Sequence, residues 1–102
     1  MILFNVTQKA TILTNLQQYF NSESRIYHAW LFGSFARDDY HENSDVDVMI
    51  EMKNDKRYTL FDVFDIQYRL EKLLNRKVDV VEKGFIKPAA WVEAENNLIT
   101  II

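Results

Sequence analysis

A β-prone run, Ile26-Tyr27-His28-Ala29-Trp30-Leu31-Phe32, stops at Gly33-Ser34, and this break constrains the chain more than any other feature. Only two Gly and one Pro occur in 102 residues, so each marks a backbone need. A Gly at a strand end, followed by a Ser that opens a helix, makes a turn where backbone can approach a ligand closely. The run before it is apolar on both alternations apart from His28, which predicts a central strand covered on two sides.

The rest of the chain supplies partners for that strand. Val6, Ala10, Leu13, Leu16 and Phe20 recur at helical spacing, and Asn5 with Gln8 resembles a capping box, so an amphipathic helix is expected from there to Phe20. Phe35 to Tyr40 fits a short helix, and His41 to Ser44 a loop. Asp45 to Glu51 alternates, with Val46, Val48 and Ile50 on one side and Asp45, Asp47 and Met49 on the other. Tyr58 to Asn75 is the longest helical segment. Its polar residues Asp62, Asp65, Arg69, Lys72 and Arg76 form one stripe in a broadly apolar girth, which predicts packing against a sheet and against something more.

Val78 to Glu82 is a third strand, interrupted by Asp79. Gly84 makes a turn, Pro88 opens a last helix over Ala89 to Asn96, and the apolar tail Leu98 to Ile102 is either a packed edge strand or a contact surface. The order α, β, short α, β, α, β, α and tail predicts an α/β fold with a small mixed sheet packed with helices.

The length suits a single domain spanning 1–102, and 48% hydrophobic residues are enough for a core. With Cys 0 there is no disulfide, thiolate metal site or cysteine nucleophile. A net charge of -3 argues against binding nucleic acid through phosphate neutralisation. No apolar run is long enough to span a membrane and the start lacks a signal-peptide pattern, so the expected location is cytoplasmic.

The chemistry concentrates in Gly33-Ser34, ten intervening residues, then Asp45-Val46-Asp47. Helix-opening N–H groups and the Ser34 hydroxyl suit phosphate oxygens. Asp45 and Asp47 project from one strand face, about 6–7 Å apart at Cα. Two crowded carboxylates repel unless a cation lies between them, and hard oxygen ligands suit Mg²⁺ or Mn²⁺ carrying a nucleotide triphosphate. Asp79 in its Val-rich strand completes a three-carboxylate site if the two strands are neighbours. Such a site can hold two metals about 4 Å apart. Gly-Ser or Asp-x-Asp alone is a common structural pattern. The combined spacing arises by chance on the order of once in a thousand such chains.

These residues resemble the signature of the polymerase-β-like nucleotidyltransferase superfamily, with Asp79 where its third carboxylate is expected. The short length resembles the minimal nucleotidyltransferases, or MNT proteins. Many of those are encoded beside a HEPN-domain protein, an RNase, as toxin–antitoxin pairs. The resemblance implies that Gly33, Ser34 and Arg37 bind the triphosphate, that Asp45 and Asp47 bind both metals, and that Asp79 binds the catalytic metal. It further implies an antitoxin that transfers AMP from ATP, with Mg²⁺, to a tyrosine hydroxyl of a HEPN toxin held in a hetero-oligomer. Two positions depart from the family pattern: Phe35 stands for a frequent Arg, and Asp38 for a frequent Gly. The added charge of Asp38 is expected to weaken nucleotide binding.

A second expectation is neutralisation by direct binding, through the apolar helix face or the tail, with catalysis secondary or lost. Modification of a small molecule fits less well, because such enzymes usually carry a further domain over the acceptor. His41 lies close enough in sequence to approach a nucleotide but reads first as a loop residue. His28, Trp30 and Trp91 read as core or edge residues, and Tyr40 and Tyr58 as ordinary surface tyrosines.

Overall fold

The computed structural model describes residues 2–85 and 97–102. In chain order the elements are α1 (Ile2–Asn21), β1 (Ile26–Phe32), α2 (Gly33–Arg37), β2 (Val46–Met52), α3 (Leu60–Leu74), β3 (Val78–Glu82), a 3₁₀ turn (Lys83–Phe85) and β4 (Ile99–Thr100). The strands form one mixed sheet in the order β3-β2-β1-β4. β1 pairs antiparallel with both β2 and β4, while β3 runs parallel to β2. A parallel neighbour requires a crossover, and α3 supplies it.

One sheet face carries the core. Ala29 and Leu31 of β1, Val46, Val48 and Ile50 of β2, and Val78 and Val80 of β3 are all buried there. Ile12, Leu16 and Phe20 of α1 cover them, as do Val63, Ile66 and Leu70 of α3. Those triplets follow the four- and three-to-four-residue spacing of a helix stripe, and their burial is the main force holding the layers together. Gln67 and Glu71 of α3 also accept hydrogen bonds from the Val80 and Val78 amides of the outer strand β3, at 3.1 and 3.2 Å.

α3 starts at Leu60, two residues after the expected Tyr58, and its 15 residues make it shorter than the 20 of α1. Thr59 caps it, accepting from the Phe61 amide, and Asp62 returns a bond to the Thr59 amide in a capping box. Asn75 ends it in the left-handed region at φ 50°. Arg25 ties the α1–β1 turn to this helix, donating to Glu23, Asp62 and Asp65.

Several expectations need correction. α1 begins at Ile2, ahead of Asn5, because Ile2-Leu3-Phe4 contains no breaker. Ala10 is exposed and Ile12 takes its place in the buried stripe. α2 occupies Gly33–Arg37 and ends earlier than Tyr40, because Asp38 adopts φ 65° and closes the helix with its amide on the Ser34 carbonyl. β1 is fully covered on its core face only; His28 and Trp30 on the other face are half-buried. The tail packs as an edge strand: Ile101 is buried and its amide bonds to the Ala29 carbonyl at 2.8 Å. The last helix, Pro88 and Trp91 lie outside the described residues.

Candidate active site

The sheet face opposite the core carries the acidic residues. Period-two alternation puts Val46 and Val48 into the core, so Asp45, Asp47 and Met49 point the other way. In the β2–β3 register Asp47 faces Asp79 directly, with Val46 opposite Val78 and Val48 opposite Val80. The two carboxylates therefore share one face on neighbouring parallel strands, whose spacing is about 4.8 Å. β1 brings Phe32 opposite Asp47 from the other side, and the chain turns at once into Gly33 and Ser34.

That turn is built against Asp47. Gly33 has φ 74°, and a β-carbon there would lie 2.1 Å from Asp47 Oδ2. Any side chain at position 33 collides with the carboxylate, which explains the Gly. α2 follows with a single turn that no described side chain caps, and its first residues, Gly33 and Ser34, border the cleft.

Gly33, Ser34, Arg37, Asp45 and Asp47 all line one cleft of about 690 Å³. That volume is typical of a small-molecule site. Asp79 stands one strand behind Asp47 and does not itself line the cleft. His41, Asn43, Ser44, Asp39 and Asn97 complete the wall. Of these, only His41 was singled out from the sequence. Ser44 lies two residues before β2 and is buried.

The electrostatics mark Asp47 as the stressed group. Its carboxyl is pushed up to about 6, first by burial, then by the charges of Asp79 and Asp45, against a lowering pull from Arg37. Asp45 pairs with Lys77 at 3.8 Å. Arg37 is paired with Asp39, its Nε donating at 3.1 Å. Among the described residues, no three His, Cys, Asp or Glu side chains converge into a cage able to hold a metal by themselves. The donor set still fits Mg²⁺, which normally takes one or two carboxylates and completes its shell with phosphate oxygens and water.

Asp38 does not sit where its charge was expected to act. Its carboxylate turns away to Lys9 of α1 and it is absent from the cleft wall. Its backbone explains the position instead. At φ 65° Gly is favoured, and Asp is among the few other residues that tolerate the left-handed region.

A mixed four-stranded sheet with a strand–Gly-Ser–helix turn set against the next strand's carboxylates defines a minimal nucleotidyltransferase fold. The chain belongs to the nucleotidyltransferase domain family, whose pattern matches residues 11–101. It is 36% identical over 77 residues to a candidate protein adenylyltransferase of Methanocaldococcus jannaschii, covering 76% of this chain and 81% of that protein. It is 26% identical over 87 residues to the protein adenylyltransferase MntA of Thermococcus cleftensis, covering 85% of this chain and 86% of the other.

Among solved structures, a candidate minimal nucleotidyltransferase superposes with a TM-score of 0.70 at 25% identity, covering 93% of each chain. A toxin–antitoxin complex with AMP-PNP gives a TM-score of 0.68 at 16% identity, over 90% of this chain and 71% of that one. A tri-AMPylated HEPN toxin of Shewanella oneidensis in complex with its MNT antitoxin gives 0.62 at 13% identity, over 96% and 71%. The last two establish likeness of fold. Among the described residues, no helix is long and apolar enough to cross a membrane.

Proposed function

We propose that the chain is an antitoxin protein adenylyltransferase that moves AMP from ATP to a tyrosine hydroxyl of a cognate HEPN RNase toxin and so silences it. The observation that carries this is the juxtaposition of Gly33 with Asp47 in the cleft, and of Asp47 with Asp79 on the neighbouring strand. The names of its relatives support protein adenylylation, and the MNT–HEPN complexes of the same fold support the choice of partner.

In this reading Gly33 and Ser34 hold the triphosphate through backbone amides and a hydroxyl, with Arg37 turning from Asp39 to phosphate. Asp45, Asp47 and Asp79 would hold two Mg²⁺ ions, with Mn²⁺ as a substitute. Bound Mg²⁺ would offset the triphosphate charge and lower the acceptor's pKa. The tyrosine oxygen bonds to the α-phosphorus, the bond from that phosphorus to the β-phosphate bridging oxygen breaks, and pyrophosphate leaves. The phenolic proton goes to solvent. The chain's own contribution is orientation: a Gly-backed carboxylate and a fixed turn hold the α-phosphate in line.

The test is the intact mass of the HEPN partner after incubation with the protein, ATP and Mg²⁺. Mass added in AMP units, and lost with Asp45→Asn/Asp47→Asn, is the expected outcome. A stable complex with no added mass overturns it.

A second reading, neutralisation by binding alone, draws on a specific observation. Phe61, Phe64 and Tyr68 lie along the side of α3 that faces away from the core, all exposed. Neutralisation that survives loss of both Asp45 and Asp47 would favour it.

A further inference from the structure

Arg76 follows the C-cap of α3 and reaches into the cleft wall from behind. Its Nη1 donates to the Ser44 carbonyl at 2.6 Å and to the Glu42 carbonyl at 3.0 Å. Its guanidinium carbon lies 5.3 Å from the centroid of the Phe35 ring. Phe35 is buried in α2, one residue past Ser34, and stacks on Tyr40 with centroids 4.2 Å apart. One side chain therefore touches both halves of the site: the helix that carries the Gly-Ser turn, and the loop that delivers Asp45.

The geometry points to Arg76 as a positioning residue for AMP transfer, one that sets Asp45 against the Gly33-Ser34 turn by clamping the 41–45 loop to α2. This inference rests on the transferase reading above. The loop closes on itself around Ser44, whose amide donates to the His41 carbonyl at 3.0 Å and whose hydroxyl accepts from the His41 amide at 2.9 Å. The carbonyls of Glu42 and Ser44 face outward from that turn, and Arg76 takes both. On the far side of Asp45 the Val46 amide donates to the Lys77 carbonyl at 3.0 Å, so Asp45 is held from before and after by the segment that follows α3.

The requirement is for Arg. A planar guanidinium can lie over a ring while its N–H groups reach two carbonyls; an ammonium acts as a point charge and cannot reproduce that arrangement. A loop freed by a fraction of an ångström alters alignment in the transition state more than ground-state binding of ATP, so the effect should fall on kcat.

The experiment compares wild type, Arg76→Lys and Arg76→Met in two ways. Amide hydrogen exchange follows Ser44 and His41 against the core strand amides of Leu31 and Val48. Steady-state transfer to the HEPN partner gives kcat and KM for ATP. We expect faster exchange at Ser44 and His41 alone, kcat about 10-fold lower in Arg76→Met, and KM within about twofold, with Arg76→Lys in between. Unchanged exchange in either folded variant overturns the inference, as does unchanged kcat with the loop loosened. A kcat loss matched by faster exchange at Leu31 and Val48 overturns it too, marking a general loss of stability. Should wild type transfer nothing, the transferase reading fails, and the exchange comparison still decides whether Arg76 holds the loop.

Discussion

The β-carbon that Gly33 lacks would occupy a point 2.1 Å from Asp47 Oδ2, so the phosphate-side turn and the acidic strand fit together only because position 33 has no side chain. Gly33→Ala should therefore do two kinds of damage. The φ of 74° costs an L-residue about 1–2 kcal/mol, and the carboxylate must move by an ångström or more. Misplacement on that scale lowers AMP transfer by about 100-fold. Ser34→Ala, which keeps the backbone, should lose less. Equal loss in the two variants would show that the Gly33–Asp47 contact is not what matters.

Asp47 makes a prediction about pH. Its folded-state pKa of about 6 lies above the ordinary 3.8, mainly through burial and the charges of Asp79 and Asp45. The folded state holds the proton more tightly than the unfolded chain, so this group favours folding below about pH 4 and loses that contribution as pH rises through 6. Asp47→Asn removes the penalty. Measured in EDTA by urea denaturation, the variant should match wild type at pH 4 and exceed it by about 1 kcal/mol at pH 7.5, a figure reduced for the solvent that reaches a half-buried group. Asp62 and Asp65, held low by hydrogen bonds, act in the opposite sense and cancel in the comparison. A difference independent of pH would contradict the assignment.

Asp38 was expected to weaken nucleotide binding through its charge, yet its carboxylate pairs with Lys9 and its backbone does the structural work at φ 65°. Asp38→Gly should leave KM for ATP within about twofold and change stability little, because Gly regains in backbone fit what the surface ion pair gave. Asp38→Ala should cost about 1 kcal/mol, since Ala is strained in the left-handed region and has no side-chain oxygen to compensate. A large drop in KM for Asp38→Gly would restore the electrostatic expectation.

Much of the site was legible because its constraints are local. Gly33-Ser34 and Asp45-Val46-Asp47 are short-range patterns whose backbone meaning follows from a strand ending and from alternation. The partnership of Asp47 with Asp79 was legible as a condition, a charged residue in a Val-rich strand, and the parallel register met it. Arg76 was not legible. It reads as one more polar residue on the α3 stripe, and its function depends on where the helix ends relative to a loop 32 residues earlier, a tertiary fact. Asp38 was legible only as a charge; the direction a left-handed residue sends its side chain is a tertiary fact. The start of α1 was not legible because Asn5 reads in sequence as a cap, whereas the helix already runs from Ile2.

The wide apolar girth of α3 was also legible, and only half of it is spent on the core. Val63, Ile66 and Leu70 are buried, while Phe61, 83% exposed, lies with Phe64 and Tyr68 on the opposite side. Three aromatics in one stripe are costly to leave in water and are the residue types that anchor interfaces. Phe61→Ser/Phe64→Ser should leave the thermal midpoint nearly unchanged, because neither ring contributes to the core. Its affinity for the proposed HEPN partner, measured by isothermal titration, should fall by at least about 10-fold, since anchor residues contribute more than about 1.4 kcal/mol each. Transfer of AMP to the partner at saturating concentration should persist, which separates docking from chemistry. Unaltered affinity would assign the stripe no part in the complex, and lost transfer at saturation would place it in the acceptor's path.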